Sequence, residues 1–245
     1  LPSEIANAEL YVLFGNNPSV TRPSGGGKGF QIDAALTRHR PKKIIVIDPA
    51  FTDTCTARAD QWIPIRPGTD AALISALAYE FITNGWIDQA FLDRYCVGFD
   101  EKTLPKSAPA KSDYKSYILG AGPDGTAKTP EWAAPITGIP VDVIRSLARE
   151  MAMTKPLFVS QGWGPQRQAN GEATCRAIAM VPILLGQVGL PGTNTGAHEG
   201  NTSFPAVYLP IGKNPVKATI PVYMWTDAIL RGPEMTRRNS ALHGA

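Results

Sequence analysis

The chain is poor in the residues that build metal centres and covalent staples. Its three cysteines, Cys55, Cys96 and Cys175, stand far apart and form no Cys-x-x-Cys. That spacing argues against a disulfide framework or an iron–sulfur cluster held within this chain. Each cysteine is expected as a buried or half-buried thiol. The three histidines, His39, His198 and His243, are equally scattered and offer no metal-ligand spacing. No apolar run approaches membrane-spanning length, and the first residues do not read as a signal peptide. The net charge is only +3 and the basic residues are dispersed, so no nucleic-acid partner is expected. Gly-x-Gly-x-x-Gly is missing after the first strand, which argues against an ordinary nicotinamide or flavin fingerprint. Internal repeats are also missing.

What remains suits a globular α/β domain. With 245 residues, 43% of them apolar and 18% charged, the chain can bury a sizeable core. Its organising stretch runs from 44 to 70. Ile44-Ile45-Val46-Ile47 are four β-branched residues in a row, a pattern that suits a strand covered on both faces in a parallel sheet. Asp48-Pro49 then places a carboxylate just past the strand's carboxyl end, the edge where open α/β sheets bind nucleotides. Trp62-Ile63-Pro64-Ile65 leads into Arg66-Pro67-Gly68-Thr69-Asp70, directly before an alanine- and leucine-rich helix beginning at Ala71. Thr69 or Asp70 is positioned to cap that helix, with backbone amides facing any bound anion.

The same grammar organises the rest. Residues 1–9 read as a short acidic lead-in, with Ser3 and Glu4 consistent with a brief capped helix. Leu10 to Phe14 is a first buried strand that ends in Gly15-Asn16-Asn17-Pro18. The loop after it holds Gly25-Gly26-Gly27, read either as a close approach to ligand or as a surface loop. Gly29 to Arg38 is a crossover helix into the strand 43–47, giving a right-handed βαβ unit. Ala71 to Asn84 and Asp88 to Tyr95 read as helices. Residues 98–130 are rich in Pro, Ser, Lys and Gly and are expected as a surface excursion, with the lysines from Lys102 to Lys115 on a solvated face. Pro140 to Met153 is an amphipathic helix, and Pro156 to Ser160 a further strand. Gly171 to Val188 is a long apolar helix containing Pro182. The expected architecture is a Rossmann-like, mostly parallel sheet with helices on both faces. It occupies residues 1–200, and an irregular tail, 201–245, leads toward a further domain.

The ordered run Asp48-Pro49, Thr52-Asp53-Thr54, Ala59-Asp60 and Pro67-Gly68-Thr69-Asp70 resembles the molybdopterin-guanine-dinucleotide oxidoreductases, the dimethyl sulfoxide reductase family. Ala50 departs from the pattern, because many members carry arginine there. A second stretch, Gly162-Trp163-Gly164-Pro165-Gln166-Arg167, is similar to a loop of the S- and N-oxide reductase branch. Together with Met224-Trp225-Thr226-Asp227, the motif order looks most like catalytic subunits of anaerobic dimethyl sulfoxide reductases.

The resemblance implies a molybdenum bis(molybdopterin guanine dinucleotide) cofactor, with this chain as about the middle third of such a subunit. It implies Asp70 for the guanine edge, whose N1–H and 2-amino group a carboxylate accepts together. Asp48 lies nearer the ribose or base edge, and Arg66, Gly68 and Thr69 meet the diphosphate. Gly15, Asn16, Asn17, Gly162 and Gln166 complete the cofactor loops. Trp163 and Arg167, four apart, stand at pterin or substrate funnel. Simpler roles stay open: Asp70 as a helix cap, Asp48 as a turn former, Trp163 as a core aromatic. The protein metal ligand is implied to lie before the matched region, and any [4Fe–4S] motif further upstream, so the chain alone is expected to be inactive. Partners implied are the remaining domains, an iron–sulfur electron-transfer subunit and a membrane anchor, in the periplasm. Selenate, nitrate or formate as the family substrate, or a non-catalytic nucleotide-binding module, are the alternatives.

Overall fold

In the computed structural model the described residues are 2–20, 28–196, 212–213 and 215–240. Gly25 to Gly27, His198 and His243 lie outside them. The chain divides into two compact units, Leu1–Thr202 and Ser203–Ala245.

The first unit is built on a four-stranded, all-parallel sheet. A 3-10 helix, Pro2–Asn7, leads into β1 (Leu10–Phe14), α1 (Lys28–Arg38), β2 (Lys43–Ile47), α2 (Asp53–Arg58) and β3 (Gln61–Ile63). Then come α3 (Asp70–Thr83), α4 (Gln89–Tyr95), α5 (Tyr114–Leu119), α6 (Pro130–Thr137), α7 (Val141–Met153), β4 (Leu157–Gln161) and α8 (Gly171–Leu184). The strand order is β3-β2-β1-β4, with every neighbouring pair parallel. This is the α/β architecture read from the sequence. All five residues of β1 and all five of β4 are buried, as strands covered on both faces must be.

Alternate residues of each strand feed two separate cores. Leu10, Val12, Phe14, Ile45 and Ile47 pack under α3, α7 and α8 through Leu73, Leu77, Ile144, Leu147 and Ile178. Tyr11, Leu13, Ile44 and Val46 point the other way, toward Ile5, Ile32 and Ala35 of the smaller helical layer. The stripe read on the helix 140–153 is inward: Ile144, Leu147 and Ala148 are buried. The apolar helix after Gly171 ends at Leu184, shorter than read, with Pro182 buried inside it.

Several helices have no counterpart in the sequence reading, α2 and α6 among them. α2 is a six-residue helix whose first turn is capped by Thr52 accepting from the Cys55 amide. α6 starts on a Thr129 cap with proline at its first position, and ends at Gly138 in the left-handed region. Residues 98–130 reach inward: Phe99 and Ile118 join the larger core, and Asp113 and Lys128 are buried. Lys128 lies beside Asp124 with its ammonium 4.6 Å from the Tyr117 ring and 5.2 Å from Trp132. The second unit carries two short helices, α9 (Trp225–Arg231) and α10 (Arg237–Ser240). An Arg231–Asp227 pair at 2.9 Å lies along α9.

Candidate cofactor-binding site

Chain order reverses at β1: β2 and β3 lie on one side of it, β4 on the other. A crevice therefore opens between the carboxyl ends of β1 and β4, the position where doubly wound sheets hold ligands. Its two lips interlock. Gly162 donates its amide to the Phe14 carbonyl at 3.0 Å, and a Cβ on Gly162 would overlap the Gly15 carbonyl oxygen. Gly15 has φ of +49°, and a Cβ there would lie 2.6 Å from Pro165 Cδ. Glycine at both positions is what lets the loops after β1 and β4 touch.

Beside this contact is a cleft of about 290 Å³. The carboxylates of Asp48 and Asp70 line it, with Gly15, Gly68, Pro165 and Gln168. Asp48 follows β2 directly, its amide bonded to the Ile63 carbonyl at 3.3 Å, and its Oδ1 accepts from the Ala50 amide at 2.9 Å. Asp70 is the first residue of α3 and is 6% exposed. Burial pushes both carboxyls up. Asp70 reaches about 6, chiefly through burial, partly offset by its own amide and raised further by the Asp48 charge. Neither carboxylate forms an ion pair among the described residues. Two acceptors held without a cation, at a helix start and a strand end, match a ligand edge rich in N–H donors.

The structure sorts the candidate residues into groups. Asp48, Gly68, Asp70 and Gly15 share the cleft. Thr69 is the residue before α3 but makes no side-chain cap, its hydroxyl donating instead to the Arg66 carbonyl at 2.7 Å. Arg66 is turned away from the cleft: its guanidinium donates to the Pro135 carbonyl and, at 3.4 Å, to that of Ile136, at the end of α6. Asn16 is buried and donates to the Ser160 hydroxyl at 3.0 Å, tying the β1 loop to β4. Asn17 accepts from the Thr54 hydroxyl at 2.6 Å, tying the same loop to α2. Trp163 is half-buried, and the Arg167 guanidinium stacks 4.9 Å from its ring centre. Gln166 is exposed, its amide bonded to the Trp163 carbonyl at 3.2 Å.

Sequence reading missed Gln168 and the prolines Pro49, Pro67 and Pro165 as cleft residues. A lone glutamine ahead of a helix gives no signal, whereas the prolines belong to motifs whose other members attract notice. Buried Gln161, at the end of β4, also went unread. Its amide nitrogen donates to the Gly196 carbonyl at 2.6 Å and to that of Cys175 at 3.1 Å, fastening α8 and the glycine-rich loop behind the crevice.

Among the described residues no cluster of three or more His, Cys, Asp or Glu side chains is arranged to hold a metal ion. No helix among them is long and apolar enough to cross a membrane. The paired carboxylates suit a ligand edge with adjacent N–H donors, such as a guanine base.

Comparison with known proteins agrees with this layout. The sequence model of the molybdopterin oxidoreductase family matches residues 2–237. The chain is 58% identical over 243 residues to dimethyl sulfoxide reductase DmsA of Escherichia coli (strain K12), covering 99% of this chain and 30% of that protein. It is 60% identical over 242 residues to the Haemophilus influenzae DmsA, with the same coverage, and 32% identical over 209 residues to a trimethylamine-N-oxide reductase of that organism, covering 83% of this chain and 24% of the relative. The chain thus spans about 30% of the length of the DmsA relatives. Among solved structures, acetylene hydratase from Pelobacter acetylenicus superposes with a TM-score of 0.53 at 22% identity, over 77% of this chain and 24% of that one. That likeness concerns the fold.

Proposed function

This chain belongs to the molybdopterin oxidoreductase family, and from that premise we propose that its cleft holds the guanosine diphosphate arm of a molybdopterin guanine dinucleotide. The observation that carries the reading is the convergence of Asp48 and Asp70 in one cleft at the reversal point of the sheet. Asp70 accepts from the base N1–H and 2-amino group, and Asp48 meets the base edge or ribose. The loops of Gly15 and Gly162 give the backbone close approach to the rest of the arm. Arg66, with its guanidinium on α6, acts on the diphosphate only indirectly, by holding the Pro67–Thr69 turn in place.

The parent subunit, in this reading, reduces an S-oxide or N-oxide, dimethyl sulfoxide to dimethyl sulfide being the leading case. The 58–60% identity to the two DmsA proteins supports that substrate class. The bound molybdenum bis(pterin) centre supplies the oxygen-atom transfer chemistry, while this chain supplies binding and orientation. The Arg167 guanidinium stacks on the Trp163 ring, and in this reading the pair meets pterin or substrate. Further domains of the subunit, an iron–sulfur electron-transfer subunit and a membrane anchor complete the periplasmic complex. By itself the chain is catalytically silent.

The test is calorimetric titration of the chain with GDP, ADP and NAD in parallel. GDP is expected to bind and the other two to bind weakly, with GDP binding lost in Asp70→Ala. Preference for NAD would instead place a nicotinamide dinucleotide in the crevice.

A further inference from the structure

Guanine presents an acceptor, O6, beside its two donors, so a site that reads it fully needs one donor as well as the carboxylates. Asp48 and Asp70 supply only acceptors when ionised. The remaining described residues lining the cleft are glycines and prolines, with one exception. That exception is Gln168, the one side chain there with an N–H to give.

Its orientation is set by the protein. Gln168 Nε2 donates to the Pro165 carbonyl at 2.9 Å. Because a carbonyl can only accept, this bond identifies the nitrogen end and occupies one of its two hydrogens. Oε1 lies over Gly68, where a Cβ would come within 2.7 Å of it. Gly68 therefore leaves the space in which the amide spans from the β4 loop to the turn before α3. The side chain is half-buried and braced at both ends, so little rotamer freedom remains to be lost on binding.

We infer that Gln168 is a specificity-determining residue that donates its second Nε2–H to the O6 of the guanine base, opposite the carboxylates. The inference rests on the guanosine reading above. An adenine base presents a 6-amino donor at that place and meets Gln168 donor to donor, so the amide rejects adenine as well as holding guanine.

The experiment measures dissociation constants of the chain for GDP, IDP and ADP in the unsubstituted form, Gln168→Met, Gln168→Glu and Asp70→Asn. Methionine fills the space over Gly68 without a donor, and thermal unfolding verifies that each variant is folded. GDP and IDP share O6, so Gln168→Met is expected to weaken both by the same factor, about 10-fold, and to tighten ADP, which is relieved of the donor-to-donor contact. Gln168→Glu, which sets a negative charge against O6, weakens them further. Asp70→Asn weakens GDP more than IDP, which lacks the 2-amino group. Equal weakening of ADP in Gln168→Met, or GDP and IDP constants within about twofold of the unsubstituted chain, overturns the role of Gln168. If Asp70→Asn still loses GDP in that case, the guanosine reading stands without it. If the unsubstituted chain prefers GDP over ADP by no margin, both fall.

Discussion

Strand β2 has a closed end and an open one. At its amino end every charge has a partner. Lys43 meets Glu150 at 2.7 Å. Asp60 accepts from Arg40 at 2.8 and 2.9 Å and from the Ile44 amide at 2.7 Å. At its carboxyl end, five residues after Lys43, Asp48 faces a second aspartate across a cleft and burial raises both carboxyls. The two ends carry the same residue type under opposite conditions. Paired carboxylates hold the sheet; Asp48 and Asp70 form no ion pair among the described residues, which suits the proposed ligand site. On the proposed reading the Ala59-Asp60 and Thr69-Asp70 motifs divide between stability and binding, although both look alike as sequence.

The largest expected effect removes the frame on which the open end rests. Gly162→Ala drives a methyl into the Gly15 carbonyl, and the backbone shift that follows is expected to cost about 3 kcal/mol or more. A urea unfolding curve with an unchanged midpoint would show the crevice to be pliable. Asp60→Ala acts at the closed end. The Arg40 pair is exposed and adds little, but the Ile44 amide loses its acceptor, which costs about 2 kcal/mol. GDP affinity is expected to stay within twofold of the unsubstituted chain, about 0.4 kcal/mol. A large loss of affinity would erase the distinction between the ends.

Asp70→Asn sharpens the contrast in the other direction. The folded-state carboxyl lies near 6 against an ordinary 3.8. Between those values the native chain binds more protons than the unfolded one, so stability falls as pH rises through the window. The penalty is complete above about pH 6 and absent below about pH 4. Asp70→Asn is therefore expected to be more stable than the unsubstituted chain at pH 7.5, by about 1–2 kcal/mol, and no more stable at pH 4. Melting curves at the two pH values decide it; a variant less stable at pH 7.5 would mean that the carboxylate is paired. By the same titration GDP affinity falls as pH drops below about 6, because the protonated acid no longer accepts from both base donors. The smallest effect belongs to Lys43→Met, whose pair with Glu150 is partly solvated. It should move stability by less than about 1 kcal/mol and leave binding alone.

Much of the frame was legible because it obeys local rules. Four β-branched residues in a row gave β2, and the strands β1 and β4 declared themselves as short apolar runs ending in glycine-containing loops. α2 escaped notice because six residues, four of them polar, carry no periodicity and the Thr52 cap is its main signal. At the site, the spacing of Asp48 and Asp70 was readable, but the direction of a side chain was not. Arg66 looked like a diphosphate ligand until α6, about seventy residues away in sequence, offered it carbonyls. Asn16 is engaged by Ser160, 144 residues on. Such partners are set by tertiary packing, which no local pattern encodes. Gln168 belongs to the same class.

The register Leu10↔Leu157 has a consequence for how the molecule is made. β1 is synthesised well before β4, so the pairing between them forms only after the intervening elements are made. The crevice, whose lips are Gly15 and Gly162, cannot close before that. The candidate cleft is therefore completed late, by a long-range closure of the kind that slows folding. On the proposed reading, a cofactor that arrives during synthesis meets no finished cleft until β4 has docked.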